Sequence, residues 1–140
     1  ILTEGLTPIV CVGEKERDVE GRYFETLKTQ IIASFSGITR AQLRDICIAY
    51  EPLWAIGKSA REAMEPRVIR EMSIFIQKIL SDLYGEEAAQ GPHILYGGSV
   101  EERNTAPILV EGGVSGLLVG HASLNAESFV KMLKAANAVA

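Results

Sequence analysis

The sequence of 140 residues has only two cysteines, no long apolar run and no large excess of charge of either sign. Cys11 and Cys47 lack the C-x-x-C spacing of zinc or redox sites, and we interpret both as small buried side chains in a reducing compartment. No apolar run approaches the roughly 18 residues that cross a membrane, and no signal-peptide pattern opens the chain. The net charge of −4 argues against nucleic acid as a partner. We therefore expect a cytoplasmic protein that binds neither membranes nor nucleic acids.

What the chain does contain is typical of a folded α/β protein. Hydrophobic residues make up 47% of it and charged residues 23%, which excludes a disordered chain and suits a single domain over residues 1–140. Four short apolar segments occur at 8–12, 45–51, 93–96 and 116–120. They are nearly continuous in apolar residues, which is typical of strands buried on both faces of a parallel sheet.

Helical patterns separate these segments. Apolar residues recur at helical spacing over 19–35 (from Val19 to Phe35) and over 68–83, and shorter helices are predicted over 101–110 and 126–136. Pro66 suits a first helical turn, Gly85 a left-handed cap and Asn125 an N-cap. Four strand–helix repeats predict a parallel sheet with right-handed crossovers. Both a doubly wound sheet and a (β/α) barrel satisfy this pattern, and both bind ligands at the carboxyl ends of the strands.

A glutamate stands at the end of the second apolar segment, in Ala-Tyr-Glu-Pro-Leu-Trp-Ala-Ile-Gly over 49–57. Beside Trp54 and Ile56, desolvation would raise the pKa of Glu51, as a general base working near neutral pH requires. A glutamate that only forms a salt bridge across the mouth of the sheet fits the same pattern. The stretch 52–57 suits a hinged lid or an ordinary connection equally well.

Glycine-rich turns follow the last two segments. They read Tyr-Gly-Gly-Ser-Val over 96–100 and Leu-Val-Gly-His-Ala-Ser over 118–123. Glycine lets backbone N–H groups approach an anion, and a helix N-terminus favours negative charge. Two such turns on neighbouring strands favour a shared phosphate site. Without a G-x-G-x-x-G or Walker motif, a small phosphorylated metabolite is a better ligand than a nucleotide.

The remaining polar residues are weaker candidates. His93 lies at the start of its segment, the wrong end for chemistry, whereas His121 lies at the right end. The charged run 15–18, which includes Arg17, is interpreted as a solvated loop. The sequence contains neither metal-ligand spacing nor motifs for a Ser-His-Asp triad.

These motifs together resemble one family. The stretches 49–57, 96–100 and 116–120 look like the sixth, seventh and eighth strand ends of triosephosphate isomerase, and Ile-Val-Cys-Val-Gly-Glu over 9–14 is similar to its fifth. The resemblance covers essentially the whole chain, in order. It implies four (βα) units, half of a TIM (β/α)8 barrel, completed by a second chain.

The resemblance also implies roles for matching residues. Glu51 would be the base that interconverts dihydroxyacetone phosphate and D-glyceraldehyde 3-phosphate through an enediolate, without metal or organic cofactor. The substrate phosphate would be bound by Gly57 of a closing lid and by Ser99, Gly120 and the backbone of His121. Tyr96 would hold the closed lid through its hydroxyl. Residues that would shape the lid or support the site are Pro52, Leu53, Trp54, Ile56, Gly98, Leu118, Cys11 and Glu14.

The chain departs from the family pattern in three places. After Gly57 the lid reads Lys-Ser-Ala-Arg-Glu-Ala-Met-Glu over 58–65, two residues longer than the usual Gly-Thr-Gly-Lys-Thr-Ala version. His121 stands where the family has a second glycine. The electrophilic lysine and histidine of the family, and a supporting asparagine, belong to the first four strands, and these 140 residues contain no replacement for them.

Two hypotheses follow. In the first, the chain is the C-terminal half of a triosephosphate isomerase, joined by a complementary N-terminal half-barrel chain and assembled further into a dimer of completed barrels. Open sheet edges at both ends of a half-barrel support the need for such a partner. In the second, it is a non-catalytic phosphate-binding half-barrel that pairs with itself. A fragment of an intact enzyme would have the same sequence features.

Overall fold

The structure is a computed structural model and describes residues 1–57 and 63–139. Strands and helices alternate along this part of the chain. The strands are β1 (Ile9–Val12), β2 (Cys47–Tyr50), β3 (His93–Tyr96) and β4 (Gly116–Leu117). The α-helices are α1 (Arg22–Ser34), α2 (Pro66–Tyr84), α3 (Glu86–Ala89), α4 (Glu102–Glu111) and α5 (Ala126–Asn137). Short 3₁₀ helices lie at Leu2–Glu4, Arg40–Asp45, Leu53–Ala55 and His121–Leu124.

The strands form one parallel sheet in the order β1-β2-β3-β4. Cys47 of β2 is in register with Ile9 of β1 on one side and with His93 of β3 on the other. Helices connect neighbouring strands, as parallel pairing requires. The prediction of an α/β fold with a parallel sheet is therefore confirmed, and β1 and β4 form the two edges of the sheet.

One face of the sheet is covered and the other is open. Val12, Tyr50 and Tyr96 are aligned across the strands and belong, with residues of the helices, to the buried core. In the alternate row, Ile9 is 50% exposed and Cys11 is exposed. Successive side chains of a strand point to opposite faces, so the second face of the sheet is open along β1, whereas Ala49 of the central strand β2 on the same face is buried.

Helices α1 and α2 provide much of the core. Their fully buried apolar side chains are Leu27 and Ile31 of α1 and Ile69, Met72, Ile76 and Leu80 of α2. Burial of each such side chain contributes roughly 1.5–3 kcal/mol to stability. None of the helices in residues 1–57 and 63–139 combines the length and apolar character needed to cross a membrane.

The predicted buried face of the first helix is wrong at Val19, which is fully exposed. Helix α1 begins only at Arg22, after Gly21 turns the chain with φ 76°. Because Val19 precedes this turn, it does not share the periodicity of the helix.

The three predicted helix ends lie at the predicted residues. Pro66 is the first residue of α2, and the Asn125 side chain accepts a hydrogen bond of 2.9 Å from the Ser128 N–H at the start of α5. Gly85 caps the end of α2 as predicted and has a positive φ of 91°, but its ψ of 156° is not that of the left-handed helical conformation. Helix α3 begins at the next residue, so Gly85 is both the C-cap of α2 and the N-cap of α3.

The fourth strand is shorter than the predicted 116–120. Only Gly116 and Leu117 belong to β4, although the Leu118 N–H still donates to the Tyr96 carbonyl over 2.9 Å. At Gly120 the backbone (φ −87°, ψ −112°) turns into the 3₁₀ helix that follows. Because β4 is an edge strand, it pairs only with β3. The strand therefore ends where the backbone turns away from β3.

The prediction that both cysteines are buried is also wrong. Cys11 is exposed and Cys47 is half-buried. Both lie on the open face of the sheet, where Cys11 is in register with Ala49 and Cys47 with Ile9.

Candidate active site

Glu51 follows β2 directly and has the same parity along the chain as Cys47 and Ala49, which places it at the carboxyl end of the open face. Its N–H donates to the Val12 carbonyl over 2.8 Å, which continues the β1–β2 ladder by one bond. Its side chain lies against the backbone of Gly97, where a Cβ would be only 2.6 Å from Glu51 Cγ. A glycine is therefore needed at position 97 to leave room for the carboxylate.

The Cys11 thiol lies beside the Glu51 carboxylate. Desolvation of the thiol, followed by its hydrogen bond to Glu51 and the negative charge of that group, raises the pKa of Cys11 to about 11. At neutral pH Cys11 is therefore an uncharged thiol. It therefore adds no second negative charge beside Glu51.

A single cleft at this end of the sheet, of about 1090 Å³, brings together Glu51 and the glycine-rich turns after β3 and β4. Its lining combines apolar and polar residues, as small-molecule sites usually do. The predicted site residues that line it are Glu51, Ile56, Gly57, Gly98, Ser99, Leu118, Gly120 and His121.

The turn after β3 leads into α4, which has ten residues. Ser99 Oγ donates to the Ala55 carbonyl over 2.8 Å, and the Asn104 side chain donates to the Ser99 carbonyl over 3.1 Å. The Ser99 hydroxyl thus contacts the start of the predicted lid. The group of Ser99 that could bind an anion is its backbone N–H. Backbone N–H groups before a helix are suited to bind phosphate.

The predicted lid begins at Pro52 and forms the 3₁₀ helix Leu53–Ala55. Leu53 is 49% exposed and Ile56, which lines the cleft, is 46% exposed, so both apolar side chains contact solvent. Gly57 has φ 73°, a conformation that favours glycine. Of the longer lid predicted over 58–65, residues 58–62 lie outside the described residues.

Tyr96 lies in the buried layer beneath the cleft rather than in its lining. Burial, followed by the negative charge of Glu14, raises the pKa of Tyr96 to about 12, so its hydroxyl keeps its proton. That hydroxyl is buried and has no hydrogen-bond partner among the described residues. It lies against Gly98, where any Cβ would overlap it.

A buried carboxylate anchors the start of the lid. Glu14 is 1% exposed and accepts hydrogen bonds from Tyr50 Oη (2.9 Å) and Trp54 Nε1 (2.8 Å). Burial, followed by the charge of Glu14, raises the pKa of Tyr50 far above its usual value, so this hydroxyl donates rather than ionises. Glu14 and Trp54, the predicted supporting residues, lie behind Glu51 and not in the lining of the cleft.

Arg17 completes this cluster, and the interpretation of 15–18 as a solvated loop is wrong for this residue. Its side chain is 23% exposed, and its Nε donates to Glu14 Oε1 over 3.1 Å. The i,i+3 spacing of Glu14 and Arg17 directly after a strand is the signal in the sequence that could have indicated the pair.

The two histidines lie at opposite ends of the sheet. His121 lines the cleft with an exposed side chain, and His93, also exposed, begins β3 at the far end. Within the described part of the chain, no group of three His, Cys, Asp or Glu side chains could hold a metal ion.

Comparison with known proteins gives a consistent match. The family model described as triosephosphate isomerase matches residues 1–136. The curated triosephosphate isomerase of Dehalococcoides mccartyi is 45% identical to this chain over 138 residues. That alignment covers 96% of this chain and 52% of the relative, so the chain spans about half the length of the relative it matches.

Proposed function

The chain belongs to the triosephosphate isomerase family, and from this premise we propose that it is the C-terminal half-barrel of such an isomerase. Its substrates are dihydroxyacetone phosphate and D-glyceraldehyde 3-phosphate. Its partner is a complementary N-terminal half-barrel, which supplies the electrophilic lysine and histidine. Coverage of about half of the relative supports this arrangement.

One observation carries the proposal: Glu51 stands at a strand end in the same cleft as two glycine-rich turns. The carboxylate removes a proton from the carbon next to the substrate carbonyl, which leaves an enediolate. The protonated Glu51 then returns the proton to the neighbouring carbon, while a second proton moves from the hydroxyl oxygen of one carbon to the former carbonyl oxygen of the other. The electrophilic groups of the proposed N-terminal half would assist this second transfer, and the two transfers together complete the isomerisation without net redox change. The assignment of these steps to Glu51 follows the resemblance to the family.

The cleft also offers a place for the substrate phosphate. We assign the phosphate to the backbone N–H groups of Ser99, Gly120, His121 and Gly57. These groups would hold the reacting carbons near Glu51 and so reduce the entropic cost of reaction. Tyr96 would hold the closed lid through the hydroxyl that no described residue bonds.

The open face of the sheet supports the need for a partner. Ile9 and Cys11 of edge strand β1 are exposed, and β4 at the other edge has a neighbour on one side only. Unpaired parallel edges and exposed apolar faces favour association. A second half-barrel would pair with both edges and cover the open face at once.

Activity should therefore require the other half. As a complete barrel we take a chimera in which residues 1–136 replace the matching segment of the D. mccartyi relative. We expect this barrel to consume D-glyceraldehyde 3-phosphate in an isomerase assay. The 140-residue chain alone should be at least about 10³-fold slower, because electrostatic stabilisation of the enediolate is missing.

Light scattering tests the alternative at the same time. A stable homodimer of the chain alone, together with an inactive complete barrel, would contradict the proposed isomerase and favour a phosphate-binding half-barrel that pairs with itself. An active chain without any partner would contradict the need for the N-terminal half.

The close approach of Gly97 and Glu51 gives a second prediction. Gly97→Ala should lower kcat of the complete barrel by about 10–100-fold, because the new Cβ displaces the carboxylate and small misplacements are costly. The nearest atoms that this Cβ would meet all belong to the Glu51 side chain, so the fold should persist. Circular dichroism and kcat are the measurements, and unchanged kcat would contradict Glu51 as the base.

A further inference from the structure

Arg17 contacts residues on three separate segments of the chain. Its Nε donates to Glu14 Oε1 and its Nη2 donates to Tyr50 Oη, both over 3.1 Å. The guanidinium carbon lies 4.8 Å from the centroid of the Tyr23 ring and 5.4 Å from that of the Trp54 ring. The group is thus hydrogen-bonded at its edge and in contact with two aromatic rings.

These contacts enclose the segment that carries Glu51. Tyr50 immediately precedes Glu51, and Trp54 belongs to the 3₁₀ helix that follows it. The Leu53 N–H also donates to the Glu14 carbonyl over 2.9 Å. The connection after β1 therefore holds the connection after β2 on both sides of the candidate base.

We propose that Arg17 is a positioning residue for Glu51: by bonding Glu14 and Tyr50 and packing on Trp54, it holds the strand end and the start of the lid in the geometry that proton transfer needs. Its effect on activity rests on the proposed isomerase function, whereas its effect on Trp54 does not. The contacts call for arginine in particular. Its planar group donates in two directions while its faces contact aromatic rings, and a lysine has only a compact ammonium.

The kinetic test compares variants in the complete barrel. Arg17→Met should lower kcat by about 10–100-fold, as expected for a displaced catalytic group. The KM should change less than kcat, because Ser99, Gly120 and His121 lie on other strand ends and only Gly57 belongs to the segment that Arg17 holds. Arg17→Lys, which keeps the charge, should recover part of kcat.

Arg22→Met is the matched control. Arg22 lies on the same connection, but its side chain is 77% exposed and pairs only with Asp18 and Glu20 among the described residues. We expect kcat of this variant to stay within about 2-fold of the parent, as is usual for exposed sites.

A spectroscopic test uses the 140-residue chain, in which Trp54 is the only tryptophan. Arg17→Met should shift Trp54 emission to longer wavelength and increase its quenching by acrylamide, because the indole loses its cover. Arg22→Met should change neither property. Far-UV circular dichroism verifies that each variant is folded. If Arg17→Met does not fold, the emission and quenching of Trp54 are measured in Arg17→Lys instead.

The outcomes separate this inference from the proposed function. An Arg17→Met barrel with kcat within 2-fold of the parent, or a fall in kcat with unchanged Trp54 emission, would overturn the positioning role. An equal fall in the Arg22→Met barrel would overturn it as well. If Glu51→Gln leaves the barrel fully active, the proposed function fails instead, and the emission of Trp54 still decides whether Arg17 holds this segment.

Discussion

Replacement of Glu51 by glutamine is expected to lower kcat of the complete barrel by about 10²–10⁴-fold, the usual contribution of a general base. The amide has nearly the same shape as the carboxylate but cannot accept the proton from the substrate carbon. Inorganic phosphate should still bind, because its proposed ligands are backbone groups of the glycine-rich turns. The measurements are kcat in the isomerase assay and the inhibition constant of inorganic phosphate.

Two further variants sharpen this test. Glu51→Asp keeps the charge but withdraws the carboxylate by one methylene, so its kcat should also fall sharply. Glu102→Gln is the matched control, since Glu102 is an exposed residue in the first turn of α4 and its only described ion pair is a surface contact to Lys131. A Glu51→Gln barrel with full kcat would exclude the proposed mechanism, whatever the aspartate variant does.

Replacement of Glu14 by alanine is expected to have the largest effect on stability, about 3 kcal/mol of unfolding free energy. The change leaves the Tyr50 hydroxyl and the Trp54 N–H without their acceptor and Arg17 without its counter-charge. Buried donors that lose their partner keep the full cost of leaving water. Urea denaturation of the 140-residue chain, followed by circular dichroism, measures this loss.

Glu16→Ala is the control for the stability measurement. Glu16 lies two residues further along the same connection with an exposed side chain, so its removal should change the unfolding free energy by less than about 0.5 kcal/mol. If Glu14→Ala costs no more than Glu16→Ala, the buried cluster does not stabilise this part of the fold.

Local features of the fold could be predicted from the sequence because they depend on neighbouring residues. Strand β3 has the predicted bounds 93–96, Pro66 starts α2, and Asn125 caps α5. Each signal acts within one turn or one short strand. At Val19 no capping signal marked the helix start, and the spacing of apolar residues alone placed that start too early.

The role of Arg17 could not be predicted in the same way. The charged residues 15–18 have the composition of a solvated loop, and nothing in them indicates contact with distant aromatic residues. Tyr50 and Trp54 come close to Arg17 only because β1 and β2 are adjacent and parallel, which places the connections after them side by side. Contacts of this kind arise from the register of the sheet rather than from local pattern.

The sequence by itself determined the alternation of strands and helices, the parallel sheet and the family. Buried strands, helix ends and strand-end motifs each depend on a short stretch of residues. Only the tertiary structure decided which face of the sheet is open and what surrounds Glu51. A nearly continuous apolar strand has no alternation that distinguishes its two faces. Register and helix packing distinguish them, and they place Glu51 beside Cys11 and Gly97, with the Arg17 cluster behind it.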